Sequence, residues 1–120
     1  MWSEYAIPER YEGYPGVAHG GVVAAILDEI CGRAAMIMDS NHFMLTAKME
    51  VKYRSPVPIN VKMRAVGRVV KQRGRIAMTR GELWHPDGKL AAEADLTLAD
   101  LPEKLFRDRS LDDLGWRVYE

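Results

Sequence analysis

The chain has one cysteine in 120 residues, so no internal disulfide can staple it. Cys31 lies in an apolar stretch and reads as a buried, reduced thiol, which makes the cytoplasm the default compartment. No apolar run reaches the ~18 residues of a membrane span. The opening Met1-Trp2-Ser3-Glu4-Tyr5 lacks the basic and apolar regions of a secretory leader. His19, His42 and His85 show no ligand spacing, so no metal site is expected. A G-x-S-x-G elbow and a P-loop are both missing, and there is no internal repeat.

Charge of either sign is not in excess, because the formal net charge is zero, but it is unevenly placed. Lys48, Lys52, Arg54, Lys62, Arg64, Arg68, Lys71, Arg73, Arg75 and Arg80 fall in one block in which Glu50 is the only acid. Tyr53 is the only aromatic residue there, so the stacking platform of a single-strand nucleic-acid binder is lacking. The block is either a solvated face or a seat for a ligand carrying a few phosphates.

With 48% hydrophobic residues, a chain of this length can bury one core, so a single domain over 1–120 is expected. Residues 1–18 read as a loop-rich lead-in broken by Pro8, Gly13, Pro15 and Gly16, with Trp2, Tyr5, Tyr11 and Tyr14 covering an apolar surface. From Gly20 to about Met38 the pattern is helical and apolar almost all round, which predicts a helix buried on most sides and ended by Asp39-Ser40-Asn41. Four strands are predicted after it, over 46–54, 59–71, 75–85 and 89–99. A bulge or bend is expected near Gly67, and turns at Gln72-Arg73-Gly74 and Pro86-Asp87-Gly88. The tail, 102–120, reads as one or two short amphipathic helices. Short connections imply antiparallel pairing, an α+β layout with free sheet edges that suit a dimer.

One segment carries chemical promise. The helix opens on Val17-Ala18-His19-Gly20-Gly21, and its first amides have no partners within the helix. Gly20 and Gly21 can present N–H groups to an anion or a polarised carbonyl oxygen, although a tight turn would also explain the pair. Asp28 shares a helix face with Gly21, Ala24, Ala25, Gly32 and Ala35 and has no basic residue within one turn. Glu29 has Arg33 four residues on and is explained as an ion pair. A carboxylate in a buried helix without such a partner needs one from elsewhere, or a chemical task.

Residues 13–29, Gly-Tyr-Pro-Gly-Val-Ala-His-Gly-Gly-Val-Val-Ala-Ala-Ile-Leu-Asp-Glu, resemble the signature of hotdog-fold acyl-CoA thioesterases of the phenylacetate-pathway (PaaI-like) group. Thr46-Ala47, Arg54-Ser55-Pro56-Val57-Pro58 and Pro86-Asp87-Gly88-Lys89 extend the likeness over roughly 11–101. The resemblance implies a hotdog fold, an antiparallel sheet wrapped around a long central helix. It also implies a homodimer or dimer of dimers with active sites at the subunit interface, and acyl-CoA as substrate with no separate cofactor. In that scheme Gly20, helped by Gly21, polarises the thioester carbonyl. Asp28 of the other subunit acts as general base or nucleophile, and Thr46 places the water or the carboxylate. Thr46 falls on the polar-facing parity of its strand, so a plain solvent-facing threonine is the competing reading. His19 either transfers a proton or holds the turn. The family often has Asn or Gln six residues before the His, where this chain has Gly13. That departure motivates the alternative of a non-catalytic acyl-CoA binding module; a dehydratase on the same fold ranks lowest. Arg54, Arg73 and Arg75 are the candidates for the CoA phosphates.

Overall fold

A computed structural model describes residues 1–38 and 44–100. The chain runs β1 (Trp2–Ala6), a 3-10 turn (Glu9–Tyr11), α1 (Gly20–Met38), β2 (Met44–Tyr53), β3 (Lys62–Arg73), β4 (Ile76–Trp84) and β5 (Leu90–Asp100). Every pairing is antiparallel, and the strands form one sheet in the order β1-β3-β4-β5-β2. The sheet packs one face around α1, which touches β2, β3, β4 and β5. This is the expected hotdog layout. The tail helices and the Asp39-Ser40-Asn41 helix stop lie outside the described residues.

The period-2 patterning places Met63, Ala65, Leu83, Ala92, Leu96 and Leu98 on the inner face, all buried. Val23, Leu27, Ile30 and Cys31 of α1 meet them. Each fully buried Leu or Ile contributes roughly 1.5–3 kcal/mol. The helix sits close because Gly67 and Gly81 pair across β3 and β4 beneath it. A Cβ at Gly67 would stand 2.5 Å from the Ile30 carbonyl oxygen, and one at Gly81 would stand 2.9 Å from Cys31 Sγ. Gly67 is therefore a glycine for close approach. The bulge expected there falls instead at Val70, where the β3–β4 register shifts.

Other expectations are corrected. The lead-in is not all loop: Trp2–Ala6 pairs with β3 as an edge strand. Trp2, Tyr11 and Tyr14 are exposed, and only Tyr5 packs on the core. Trp2 is met by the Arg64 guanidinium, 4.9 Å from its ring centre. The second predicted strand begins at Lys62 rather than residue 59, because Asn60 turns the chain with φ 59°. The first hairpin turn is Gly74-Arg75, closed by the Arg73–Ile76 pair, with Gly74 at φ 59°. Nor is α1 buried on most sides: Gly21, Ala25, Glu29, Arg33 and Met36 are exposed, leaving one face of the helix open.

Candidate active site

The helix start is built by a loop that folds back on itself. The His19 N–H donates to the Tyr11 carbonyl at 2.8 Å, and the Gly13 N–H donates to the Val17 carbonyl at 2.8 Å. His19 is the N-cap of α1. Its carbonyl accepts from the N–H groups of Val22 and Val23, at 3.0 and 3.2 Å. Its ring Nδ1 accepts from the Gly21 N–H at 2.9 Å, the bond that capping side chains usually make through an oxygen. The two glycines therefore differ, contrary to the expectation that both present bare amides. The Gly21 N–H is occupied, whereas the Gly20 N–H has no partner among the described residues. A Cβ at Gly21 would lie 3.1 Å from the His19 ring, tighter than an ordinary contact.

Tyr53, which the sequence did not single out, covers Gly20 from the end of β2. Its hydroxyl donates to the Gly20 carbonyl at 2.7 Å. Together with Val17, Gly20, Arg54, Ser55 and Val57 it lines a hollow of about 350 Å³ at the helix start. A second unpredicted contact, Ser55 Oγ to His85 Nε2 at 2.6 Å, ties the end of β2 to the end of β4. Contacts of this kind join residues tens of positions apart and leave no local pattern. Gly13 lies against His19, where an added Cβ would be 3.3 Å from the His19 Cα. The family's amide position thus adjoins the helix start but carries no side chain.

Asp28 stands two turns further along α1, about 12 Å at ~1.5 Å per residue. Its Oδ1 accepts from the Thr46 hydroxyl at 2.5 Å, and no cation pairs with it among the described residues. Thr46 reaches it because of a bulge. The β2–β5 register shifts between Thr46 and Lys48, so Thr46 pairs with the buried Leu98 and faces the helix. The outward parity expected for Thr46 is corrected by that one extra residue, Ala47; bulges re-aim side chains in this way. Glu29 makes the predicted pair with Arg33, at 2.6 Å. Cys31, one turn from Asp28, is fully buried. Burial pushes its thiol above the usual range, the Thr79 hydroxyl beside it offsets part of this, and the negative field of Asp28 adds to the rise.

The three candidate phosphate ligands do not converge within one chain. Arg54 lies beside the Gly20 hollow and reaches Glu93 at 3.3 Å. Arg73 precedes the β3–β4 turn and Arg75 lies in it, at the other end of the sheet, and neither forms an ion pair among the described residues. Two further arginines of the basic block are paired across the outer sheet face: Arg80 meets Glu93 and Asp95 at 3.2 Å each, and Arg68 meets Glu82 at 3.3 Å. The hydrogen bond from Arg54 lowers the Glu93 carboxyl below its ordinary range against the opposing effect of desolvation, and the bond from Arg80 adds to it. A larger hollow of about 580 Å³ lies on this outer face beside Arg64 and Trp84 and contains none of the predicted site residues. No cluster of His, Cys, Asp or Glu suited to a metal occurs among the described residues, and no described helix is long and apolar enough to cross a membrane.

Comparison with known proteins bears on this arrangement. A sequence profile of the Thioesterase superfamily matches residues 15–92. The acyl-coenzyme A thioesterase THEM4 of Xenopus laevis is 32% identical over 84 residues, covering 69% of this chain and 37% of that protein. The chain spans less than two thirds of the length of the curated relatives it matches. Among solved structures, mouse thioesterase superfamily member 2 superposes with TM-score 0.75 at 25% identity, covering 84% of this chain and 74% of that one. A Streptococcus mutans protein bound to acetyl CoA gives TM-score 0.75 at 19% identity, with coverage of 84% and 80%, a likeness of fold alone.

Proposed function

The chain belongs to the Thioesterase superfamily, and we propose that it hydrolyses an acyl-CoA thioester to the free acid and coenzyme A. The observation that carries this reading is the pairing of Asp28, fixed by Thr46, with the Gly20 N–H at the start of the same helix; among the described residues the first has no cation and the second no acceptor. The first is a base or nucleophile held in one orientation. The second is a backbone donor at the positive end of a helix, suited to an oxygen that gains negative charge.

In this scheme the Gly20 N–H holds the thioester carbonyl. Asp28 takes a proton from water, whose oxygen attacks the carbonyl carbon. The tetrahedral intermediate expels the CoA thiolate, and the proton returns to that sulfur. The nucleophilic variant runs instead through an Asp28–acyl anhydride that water then cleaves. The Thr46 hydroxyl donates to Oδ1 and leaves Oδ2 for the reaction.

At about 12 Å apart along one helix, Gly20 and Asp28 of one chain do not converge on a single carbonyl. Two copies whose α1 helices run antiparallel would set each Asp28 near the other copy's Gly20, with the open face of α1 between them. A homodimer, alone or as a dimer of dimers, follows from this reading, as does a PaaI-like placement within the superfamily. In such a dimer Arg54 of one copy and Arg73 or Arg75 of the other are the candidates for the CoA phosphates. The buried reduced Cys31 supports a cytoplasmic setting.

Gly13 favours a second reading, a module that binds acyl-CoA without turning it over, because the helix start lacks a side-chain amide to orient the thioester. A panel of acyl-CoAs offered to wild type and Asp28→Asn separates the two. Hydrolysis by wild type that falls at least ~10²-fold in Asp28→Asn supports catalysis by this carboxylate. Equal rates would remove Asp28 from the mechanism, and tight binding without turnover would favour the binding module.

A further inference from the structure

The helix start holds more than an unpaired amide. The peptide group joining Gly20 to Gly21 is gripped at both ends by side chains. Tyr53 Oη donates to its carbonyl oxygen at 2.7 Å, and His19 Nδ1 accepts from its N–H at 2.9 Å. The preceding peptide, from His19 to Gly20, is gripped at its carbonyl by the N–H groups of Val22 and Val23. Its N–H, that of Gly20, has no partner among the described residues.

A peptide unit is a rigid plane. Fixing the planes on both sides of the Gly20 Cα fixes the two dihedrals of Gly20 and so aims its N–H. This matters most at a glycine, which has the broadest backbone freedom of any residue. An oxyanion donor works through preorganisation, so a donor free to swing would lose much of its value. The carbonyl of Gly20 can serve Tyr53 and the helix ladder together because it has two lone pairs. His19 Nδ1 can accept only while it carries no proton, which leaves the ring's other nitrogen as the N–H.

We infer that Tyr53 and His19 form a clamp on the Gly20–Gly21 peptide and are positioning residues for the Gly20 amide. The inference rests on the reading of the Gly20 N–H as the donor to the thioester carbonyl. It assigns Tyr53 a part in the reaction without contact with the reacting atoms. It also gives His19 a capping role in place of proton transfer. A Cβ at Gly21 would crowd the capping His19 ring at 3.1 Å, so glycine there suits the bond.

The test uses the full chain with Tyr53→Phe, His19→Ala and His19→Asn, assayed for kcat and KM on the acyl-CoA that wild type turns over best. Amide hydrogen exchange at Gly21 is followed by NMR in parallel. Tyr53→Phe keeps the ring and deletes only the donor. It is expected to lower kcat about tenfold with KM within about twofold, less than the ~10²–10³ lost with an oxyanion donor itself. His19→Ala is expected to match it and to speed Gly21 exchange. His19→Asn supplies an oxygen that can cap the same N–H; it should restore slow exchange and recover most of the lost kcat. Unchanged kcat in both Tyr53→Phe and His19→Ala would overturn the clamp while leaving the thioesterase reading intact. His19→Asn as inactive as His19→Ala, with Gly21 exchange restored, would assign His19 to proton transfer and also overturn it. If wild type hydrolyses none of the panel, the functional reading fails instead. The clamp is then judged by exchange alone: faster exchange at Gly21 in Tyr53→Phe and His19→Ala upholds it, and unchanged exchange overturns it.

Discussion

The two faces of α1 do different work. Toward the sheet, Val23, Leu27, Ile30 and Cys31 are buried; the helix backbone leaves no room for a side chain at Gly67, and the Cys31 side chain leaves little at Gly81. On the other side, Gly21, Ala25, Glu29 and Arg33 are exposed, Asp28 is half-buried, and a Cβ at Gly32 would meet nothing. One face is committed to stability. The other holds small residues and the carboxylate of Asp28, which among the described residues bonds to Thr46 alone. A helix can keep an unpaired acid in place when its opposite face supplies the folding energy.

The most direct way to break this contrast is to exchange one group on each face. Asp28→Asn is expected to cut acyl-CoA turnover at least ~10²-fold, while its unfolding free energy stays within about 0.5 kcal/mol of wild type, as for a change away from the core. An unfolding loss as large as the activity loss would show that the open face also carries stability. Gly67→Ala should do the reverse. Its Cβ meets the Ile30 backbone, which cannot move aside as a side chain can, so chemical denaturation should show a loss of about 3 kcal/mol. A neutral Gly67→Ala would mean that the helix does not sit as tightly on the sheet as described. The outer sheet face sharpens the comparison with a smaller effect. Glu93 has a carboxyl held below its ordinary range, chiefly by Arg54 and then by Arg80. A lowered folded-state pKa stabilises above the unfolded value, ~4.3 for Glu, and that contribution is lost as pH falls through the folded value. Glu93→Gln should therefore lower the unfolding midpoint at pH 7 and match wild type in strong acid. A difference that persists unchanged in acid would point to packing rather than charge.

Much of this layout is legible in the sequence, and what is not has identifiable causes. The helix start and the four longer strands follow from apolar periodicity sustained over many residues. The strand Trp2–Ala6 escapes notice because five residues between a terminus and Pro8 offer too short a pattern. A single extra residue, Ala47, inverts the parity of Thr46, which stays exposed but becomes the Asp28 partner. Gly67 and Val70 show the same difficulty: a glycine invites the bulge reading, but the register shift occurs at a valine. The acids that meet Arg54, Arg68 and Arg80 of the basic block, Glu82, Glu93 and Asp95, lie later in the chain, so the block's local pattern does not show them. Asp28 and Gly20 were readable because helix geometry is local. Tyr53 was not, since its bond to Gly20 spans 33 positions and depends on how β2 ends against the helix.

The central claim is that each reaction centre draws Gly20 from one copy and Asp28 from another. Subunit complementation tests it most directly. Gly20→Pro deletes the amide at the first helical position, where proline is tolerated, and Asp28→Asn disables the carboxylate. Each variant alone should be inactive. When the two are unfolded together in equal amounts and refolded, a two-fold dimer assembled at random has one intact site in each mixed pair, so activity should return to about a quarter of wild type. Mixtures that form mixed dimers yet remain inactive would contradict the claim and place Gly20 and Asp28 in the same chain's site.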